Sequence, residues 1–435
     1  MVAVEILLVK PDIGTIIEEY NINDGRMEPL ALGVLAGLTP EPHTVRLLDD
    51  RMEDVTGKEP ADLVAITVDT FCARRAYEIA DMYRDRGVPV CLGGVHVSLL
   101  PDEAQDHADA LLMGDAESVW WKLLEDFENQ RLQPRYQGNF DCPQNGTFPV
   151  RSLFANRGYL PVSQIQYSRG CPFSCAHCSV SRVFGHAHNF RPVEEVVEEI
   201  RRFKLKFLLF VDDNITANTD KAKELFRALI PLKVAWASQA SIDMIQDLEM
   251  MDLMARSGCI GQLIGFESIN EDSLRWMNKR PNLRDFDHYR NVIQTMRSFG
   301  FQTWASFMVG GDQDTPETVR QTVDFAIKSK FTLGFFHMFS PYPGTKIYDQ
   351  FEREGRLLFG GKWWLHPDYR YNVAAFEPVG MTAEELGRLV VDANRKFYSA
   401  NSIGQRLWDR KTNMKSLLSA AFYLRYNWIM RRTSV

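Results

Sequence analysis

The sequence predicts an α/β protein in which two parallel sheets follow one another and a mainly helical extension ends the chain. Short apolar runs bounded by turn residues alternate with segments of helical periodicity, and this alternation continues through most of the 435 residues. We expect a doubly wound, Rossmann-like domain at residues 1–135, a linker at 136–160, a second strand and helix repeat at 161–350, and a C-terminal extension at 351–435.

Five apolar runs predict the strands of the first domain. They cover residues 4–9, 44–48, 63–68, 88–92 and 110–113. A helical pattern between the third and fourth runs stops at Gly87. Because the order strand, helix, strand implies parallel neighbours, we expect ligands beyond the carboxyl ends of these strands. Two ends carry glycine, at Gly93 and Gly94 and again at Gly114, where a ligand can approach the backbone closely.

Six further runs predict the strands of the second repeat. They cover residues 162–167, 207–211, 234–238, 261–265, 303–309 and 332–338, and each gap is long enough for a helix. Polar or glycine residues follow these strands at matching positions: Asp212 and Asp213, Ser238, Glu267, and Gly310 with Gly311. Each alone is typical of a helix cap or a solvated loop, but together they indicate a site at one edge of the sheet.

Three cysteines after the first strand of this repeat carry the most specific signal in the chain. Cys171, Cys175 and Cys178 have the spacing C-x3-C-x2-C. Iron–sulfur clusters are usually held by four cysteines, so three ligands on a four-iron cluster leave one iron open to a small molecule. Zinc normally takes four ligands, and His177 as the fourth would lie inside the same loop. A disulfide framework does not fit seven cysteines in a chain of this length with no signal peptide at its start.

At these residues the chain resembles the radical S-adenosylmethionine (SAM) superfamily, whose motif has this spacing. The resemblance implies a partial (β/α)6 barrel, a 4Fe-4S cluster on the three cysteines, and bound SAM. It also implies roles for the residues at the strand ends. Asp212 and Asp213 would meet the amino group of SAM, Glu267 its ribose or amino group, Gly310 and Gly311 its adenine, with Ser238 at the same edge and the ring of His177 beside the adenine.

Residues 62–127 resemble the cobalamin-binding domain that precedes the barrel in one large subgroup of this superfamily. In that subgroup the loops surround the nucleotide tail and the lower face of the corrin, and the matching positions here are Thr67, Gly93, Gly94, Gly114 and Glu117. The Asp-x-His-x-x-Gly motif of other cobalamin proteins does not follow the strand that ends near Asp69. Two expectations stay open: cobalamin binds without a histidine from this motif, or the domain keeps the fold without cobalamin.

The resemblance implies that the reduced cluster cleaves SAM and that the resulting radical abstracts hydrogen from an unactivated carbon. With cobalamin, we expect methylation of an apolar or natural-product-type small molecule. The alternatives are an oxidoreductase or cyclase acting on a lipid, isoprenoid or tetrapyrrole, and a non-catalytic scaffold, against which the intact cysteine triad argues. The cluster requires an electron donor such as flavodoxin or ferredoxin.

The amino-acid composition limits the kind of protein and the cellular compartment that we expect. With 45% hydrophobic and 25% charged residues the chain can bury a large core, and a formal charge of −7 argues against a nucleic-acid partner. Free cysteines point to a reducing cytoplasm, and no apolar run has the length of a membrane span.

The C-terminal extension carries two further expectations. Its aromatic residues would cover the open side of the barrel: Trp363, Trp364, Tyr369, Tyr371 and Phe376. Residues 404–435 hold seven Lys or Arg and one Asp, and residues 416–432 predict a helix. That helix either lies on the inner face of a membrane as a peripheral anchor or docks on the barrel.

Overall fold

The computed structural model describes residues 3–13, 26–144 and 146–433. It contains two six-stranded parallel sheets, one in each of the predicted α/β regions, and a mainly helical C-terminal extension. The predicted fold class is therefore confirmed.

The first sheet has the strand order β2-β1-β3-β4-β5-β6. Its strands are β1 Glu5–Lys10, β2 Thr44–Asp49, β3 Leu63–Thr67, β4 Val90–Gly93, β5 Ala110–Met113 and β6 Arg135–Gln137. Its helices are α1 Leu30–Leu38, α2 Ala73–Arg84, α3 Val95–Leu99, α4 Pro101–Gln105 and α5 Trp120–Glu128.

Helices cover both faces of this sheet. On one face α1 and α5 bury Leu32, Leu35, Trp120 and Leu123, and on the other α2 buries a separate set of side chains. Because both faces are covered, the strands read as continuous apolar runs, which is why five of them could be predicted. The sixth, β6, was missed because only its central residue, Tyr136, is buried. It crosses the predicted boundary at residue 135, and the domain division stays a prediction.

The second sheet has the strand order β14-β13-β12-β11-β10-β7. Its region contains β7 Ser163–Ile165, β8 Ser168–Gly170, β9 His188–Phe190, β10 Phe207–Phe210, β11 Ala235–Ala240, β12 Cys259–Glu267, β13 Gln302–Val309 and β14 Leu333–Met338. Its helices are α6 Ser179–Val183, α7 Val193–Arg202, α8 Thr219–Leu229, α9 Leu248–Arg256, α10 Glu271–Trp276, α11 Arg280–Arg284, α12 Tyr289–Ser298 and α13 Pro316–Lys328. The six paired strands follow chain order, as a partial (β/α)6 barrel requires. The predicted first strand is shorter than expected, because the chain after it forms an antiparallel hairpin of β8 and β9.

The C-terminal extension joins both regions. It contains α14 Lys346–Arg353, α15 Ala383–Phe397, α16 Ala400–Leu407 and α17 Leu417–Thr433. Trp363 and Trp364 are buried in the α2 side of the first domain, and Trp364 donates a hydrogen bond of 2.9 Å to Glu103. Trp364 therefore does not cover the barrel as expected. Trp363 lies between the two regions, because it also donates a hydrogen bond of 3.0 Å to the carbonyl of Pro341 and contacts Tyr342, both just after β14.

Helix α17 docks on the barrel. The side chains of Tyr423 and Asn427 are fully buried, and Asn427 donates to the carbonyl of Thr332, just before β14. Phe422 stacks on Trp304 and meets Phe207, the first residue of β10. The helix thus covers the amino-terminal ends of the strands. None of the helices in the described residues is long and apolar enough to cross a membrane.

Candidate active site

The three cysteines lie on a loop between β8 and α6, here called the cluster loop (residues 171–178). All three are half-buried free thiols. The loop is held by the segment after α10, because Ala176 N–H donates to the carbonyl of Met277 and the Asn278 side chain donates to that of Ser174, both at 2.8 Å. The loop that follows α10 therefore fixes the position of the cysteines.

Three thiols on one loop match a four-iron cluster, in which each thiolate binds a different iron. In residues 3–13, 26–144 and 146–433, no three His, Cys, Asp or Glu side chains surround one point as a mononuclear metal would need. A four-iron cluster needs separated thiolates, since each binds its own iron. Burial raises the pKa of Cys171 to about 11 and raises those of Cys175 and Cys178 as well. These groups are protonated near neutral pH until a metal replaces the proton.

Asp212 and Asp213 follow β10 after Val211. Their carboxylates bind the backbone that leads into the cluster loop. Asp212 is fully buried and accepts hydrogen bonds from the N–H groups of Tyr167 and Ser168 and from the Ser168 hydroxyl. Asp213 accepts from Gly170 N–H at 2.8 Å. Burial raises the pKa of Asp212 to about 7 and also raises that of Asp213. These contacts are those of positioning residues, and their contact with SAM stays a prediction.

Glu267 forms a buried ion pair with Lys279, and the two atoms Oε1 and Nζ are 2.7 Å apart. Burial opposes ionisation of Glu267, but Lys279 outweighs it and holds the pKa of this carboxyl below its usual value. Glu267 has a φ of +63° at an irregularity where the register between β12 and β13 shifts. Such backbone strain is concentrated at functional sites. Lys279 was missed, since a lone lysine between helices carries no sequence signal.

The other three strand-end residues contact the protein itself. Ser238 is buried and donates to the carbonyl of Phe210 at 3.1 Å. Gly310 has a φ of +106°, and a Cβ on it would meet Leu386 of α15 at 2.7 Å. A Cβ on Gly311 would meet the Trp276 ring at 3.2 Å. These glycines make room for neighbouring side chains, and a role at the adenine stays a prediction.

A cavity of about 420 Å³ lies beside the cluster loop at the carboxyl ends of the barrel strands. We call it the barrel cavity. It is lined by Phe71, His177, Cys178, Ser179, Gln239, Met308, His337, Met338, Ser340, Tyr342, Tyr369, Tyr371, Asn372 and Val373. Tyr369 and Tyr371 therefore cover the barrel as expected, whereas Phe71 comes from the first domain and was missed. Burial lowers the pKa of His177 to about 4, so its ring is neutral.

A second cavity of about 330 Å³ lies between the first domain and the chain around β8 and the end of α6. We call it the domain cavity. All five predicted loop residues line it: Thr67, Gly93, Gly94, Gly114 and Glu117. Two glycines are required by the backbone: Gly94 has a φ of +113° with a Cβ that would meet the Val68 carbonyl at 2.6 Å, and Gly114 has a φ of +75°. The structure thus brings these predicted residues together.

Comparison with known proteins identifies the family. The model of the radical SAM superfamily matches residues 165–326. The chain is 30% identical to bacteriochlorophyllide d C-8(2)-methyltransferase of Chlorobaculum tepidum, over 77% of this chain and 79% of that protein. This chain belongs to the radical SAM superfamily. The predicted 4Fe-4S cluster, SAM and enzymatic class are thereby confirmed.

Two further matches cover most of this radical SAM enzyme. It is 29% identical to bacteriochlorophyllide d C-12(1)-methyltransferase of the same organism, over 94% of this chain and 90% of that protein. The fold resembles the radical SAM methyltransferase TsrM from Kitasatospora setae, solved with cobalamin and a [4Fe-4S] cluster, with a TM-score of 0.65 and 19% identity over 81% of this chain and 78% of that one.

In this radical SAM enzyme one arginine connects the first domain to the strand before the cluster loop. Arg169, two residues before Cys171, forms ion pairs with Asp115 at 2.7 Å and Glu117 at 2.9 Å. Arg169 also donates to Gln166 at 2.8 Å. The domain cavity is therefore tied to the strand that leads into the cluster loop.

Proposed function

We propose that this enzyme methylates an unactivated carbon of an apolar small molecule and that it binds cobalamin in the domain cavity. The observation that carries this proposal is the position of the cavity, which joins the glycine-bearing strand ends of the first domain to Arg169 beside the cluster loop. The two relatives of Chlorobaculum tepidum are named as methyltransferases, and the TsrM structure holds cobalamin.

The residues of the domain cavity fit part of a cobalamin. Gly93, Gly94 and Gly114 present bare backbone to the cavity, so a ligand can approach the strand ends closely. Its volume of about 330 Å³ suits a portion such as the edge of the corrin ring. No histidine is among the described residues that line it, which agrees with binding that does not use a histidine from the Asp-x-His-x-x-Gly motif.

When bound, the cluster and SAM would supply one-electron chemistry and cobalamin the methyl group. The protein's own part is positioning. Cys171, Cys175 and Cys178 would hold the iron, while Asp212 and Asp213 fix the strand from which the cluster loop starts. The electron would come from a donor such as flavodoxin or ferredoxin.

The barrel cavity supports an apolar substrate. Its described lining contains no Asp, Glu, Lys or Arg, and four of the lining side chains are Phe71, Tyr342, Tyr369 and Tyr371. Phe71 meets Tyr342 and Tyr371 edge to face, with ring centroids 5.8 Å and 5.2 Å apart. This aromatic wall buries flat apolar groups well, and the rest of the described lining adds polar side chains but no Asp, Glu, Lys or Arg to neutralise a charged group.

Cobalamin content decides between methylation and its alternative. The enzyme is purified without oxygen, its cluster is reconstituted, and hydroxocobalamin is added before unbound corrinoid is removed. We expect one corrinoid per chain, and methyl-labelled SAM with bacteriochlorophyllide d as the probe should give labelled pigment. SAM cleavage by protein that retains no corrinoid would overturn the proposal and favour an oxidoreductase or cyclase.

We also propose that α17 rests on the cytoplasmic face of a membrane. Its outer face carries Leu417, Ala421, Leu424 and Trp428 at helical spacing, and Leu417, Leu424 and Trp428 are 92%, 47% and 55% exposed. Arginines adjoin this apolar stripe at positions 425 and 432. Aromatic and apolar side chains bordered by cations fit an anionic lipid surface.

A further inference from the structure

Gln144 carries a polar side chain with no use inside the protein. The residue is fully buried and lines the domain cavity. Neither Oε1 nor Nε2 of its side chain has a hydrogen-bond partner among the described residues. Buried amides are almost always hydrogen-bonded, so an unpartnered one at a cavity indicates a ligand that completes it.

The backbone holds Gln144 in place. Gln144 N–H donates to Glu117 Oε1 at 3.1 Å, and the same carboxylate oxygen accepts from Arg169 at 2.9 Å. Gln144 has a φ of +63°, a backbone conformation that is uncommon outside glycine. In this conformation its N–H group donates to Glu117. The residue lies on the segment predicted as a linker, which therefore forms one wall of the cavity.

The charged side chains that line the domain cavity indicate whether the ligand group beside Gln144 is charged or neutral. Arg169 is the only Lys or Arg among the described residues that line the cavity, and it already pairs with Asp115 and Glu117. Two carboxylates on one guanidinium leave no cation for a phosphate or carboxylate. A neutral group that both donates and accepts hydrogen bonds matches the free amide of Gln144.

We propose that Gln144 binds a primary carboxamide of the ligand through one donated and one accepted hydrogen bond. The periphery of a corrin ring carries such carboxamides, so this inference rests on the proposed function and adds a specific contact to it. Gln144 is then a ligand-binding residue of the domain cavity, supplied by the connection between the two sheets.

The test compares Gln144→Leu with the wild-type enzyme, both with reconstituted clusters. Hydroxocobalamin binding is measured by equilibrium dialysis, and thermal unfolding is measured without corrinoid. We expect the Kd of Gln144→Leu to rise about tenfold or more. Its melting temperature should stay equal or rise, because leucine removes an unsatisfied buried amide. Gln133→Leu, at an exposed glutamine outside the cavity, should change neither value.

Two further measurements separate the possible failures. Dicyanocobinamide keeps the ring carboxamides and lacks the nucleotide, so Gln144→Leu should weaken its binding by the same factor. Gln144→Glu keeps the shape but cannot donate, and it should also bind more weakly. Unchanged corrinoid affinity in Gln144→Leu, an effect confined to hydroxocobalamin, or a lower melting temperature with iron loss would overturn the inference. A wild-type enzyme that binds no corrinoid would overturn the proposed function itself.

Discussion

Lys279 and Glu267 form an ion pair of 2.7 Å beside Cys175, with only 16% and 8% of their side chains exposed. Lys279 favours the thiolate forms of Cys175 and Cys178, and it favours the carboxylate form of Glu267. The pair is therefore a unit whose charges are balanced only while both members are present. Removing one leaves the other buried and uncompensated.

Lys279→Met should lower the unfolding free energy by about 3 to 5 kcal/mol, the usual effect of leaving one charge of a buried pair unpaired. The double variant Lys279→Met, Glu267→Gln should recover much of that loss, since no buried charge remains. Urea unfolding under anaerobic conditions measures both. Equal destabilisation of the single and double variants would show that the side chains act through packing alone.

Glu267→Gln leaves Lys279 unpaired and should lower stability, but in the folded, reconstituted enzyme it should weaken SAM binding while the iron content stays at the wild-type level. Glutamine keeps the size of the side chain but offers one acceptor oxygen and no charge to an ammonium or a pair of ribose hydroxyls. Equilibrium dialysis with SAM and an iron assay give the two values. Glu271→Gln, four residues later with its side chain 44% exposed, is the matched control and should change neither. Iron loss with unaltered SAM affinity would assign Glu267 a purely structural role.

Cys175→Ala should abolish SAM cleavage and most of the iron binding, because one iron loses its only protein ligand. The fold should persist, since Cys175 is half-buried on a loop whose backbone is held by Asn278 and Met277. Anaerobic production of 5′-deoxyadenosine is the readout, and Cys142→Ala, outside the motif, is the control. Full activity of Cys175→Ala would remove the cluster assignment.

Asp212 should give the protein a measurable pH dependence. Burial raises its folded pKa to about 7, above the unfolded value near 4, so the folded state holds a proton that the unfolded state has lost between these values. Stability should therefore fall as pH rises through this window, by up to about 1.4 kcal/mol per pH unit. The slope should disappear in Asp212→Asn. Parallel profiles of the two proteins in urea unfolding at pH 5, 6, 7 and 8 would contradict the assignment.

Most of the fold and the cysteine motif at the centre of the site could be predicted from local patterns in the sequence. Strands that are covered on both faces are apolar along their length. All eleven apolar runs of the sequence could therefore be predicted as strands. The cluster loop is equally local, because its three cysteines fall within eight residues. The short polar strand β6 and the hairpin of β8 and β9 could not be predicted, because they contain neither a continuous apolar run nor a local motif.

The features that the sequence did not predict depend on contacts between distant segments. Glu117 and Arg169 are 52 residues apart in sequence, and no pattern in either segment announces their ion pair. Phe71 reaches the barrel cavity only because the first domain lies over the barrel, and Gln144 sits in a segment that reads as a linker. Asp212 shows the converse case: its position was predicted, while its contacts are with the chain itself.

The outer face of α17 should bind anionic vesicles in a salt-dependent way. Each arginine near such a surface contributes about 1 kcal/mol, and apolar side chains add burial. Sedimentation with vesicles containing phosphatidylglycerol should carry the enzyme down at low salt and release it at high salt. Leu417→Ser with Trp428→Ser should reduce binding at low salt, and Arg425→Gln with Arg432→Gln should reduce both the binding and its salt dependence.

Substitution tests this surface better than truncation, because the inner face of α17 is part of the barrel. Tyr423 donates to the Ile403 carbonyl at 2.8 Å and Asn427 accepts from Arg406 at 2.9 Å, so removing the helix after Asn413 should destabilise the fold whether or not it meets a membrane. Tyr423→Phe is the matched control: it should lower stability by about 1 kcal/mol and leave vesicle binding unchanged. Wild-type enzyme that stays in the supernatant with anionic vesicles at low salt would show that the exposed stripe does not bind lipid.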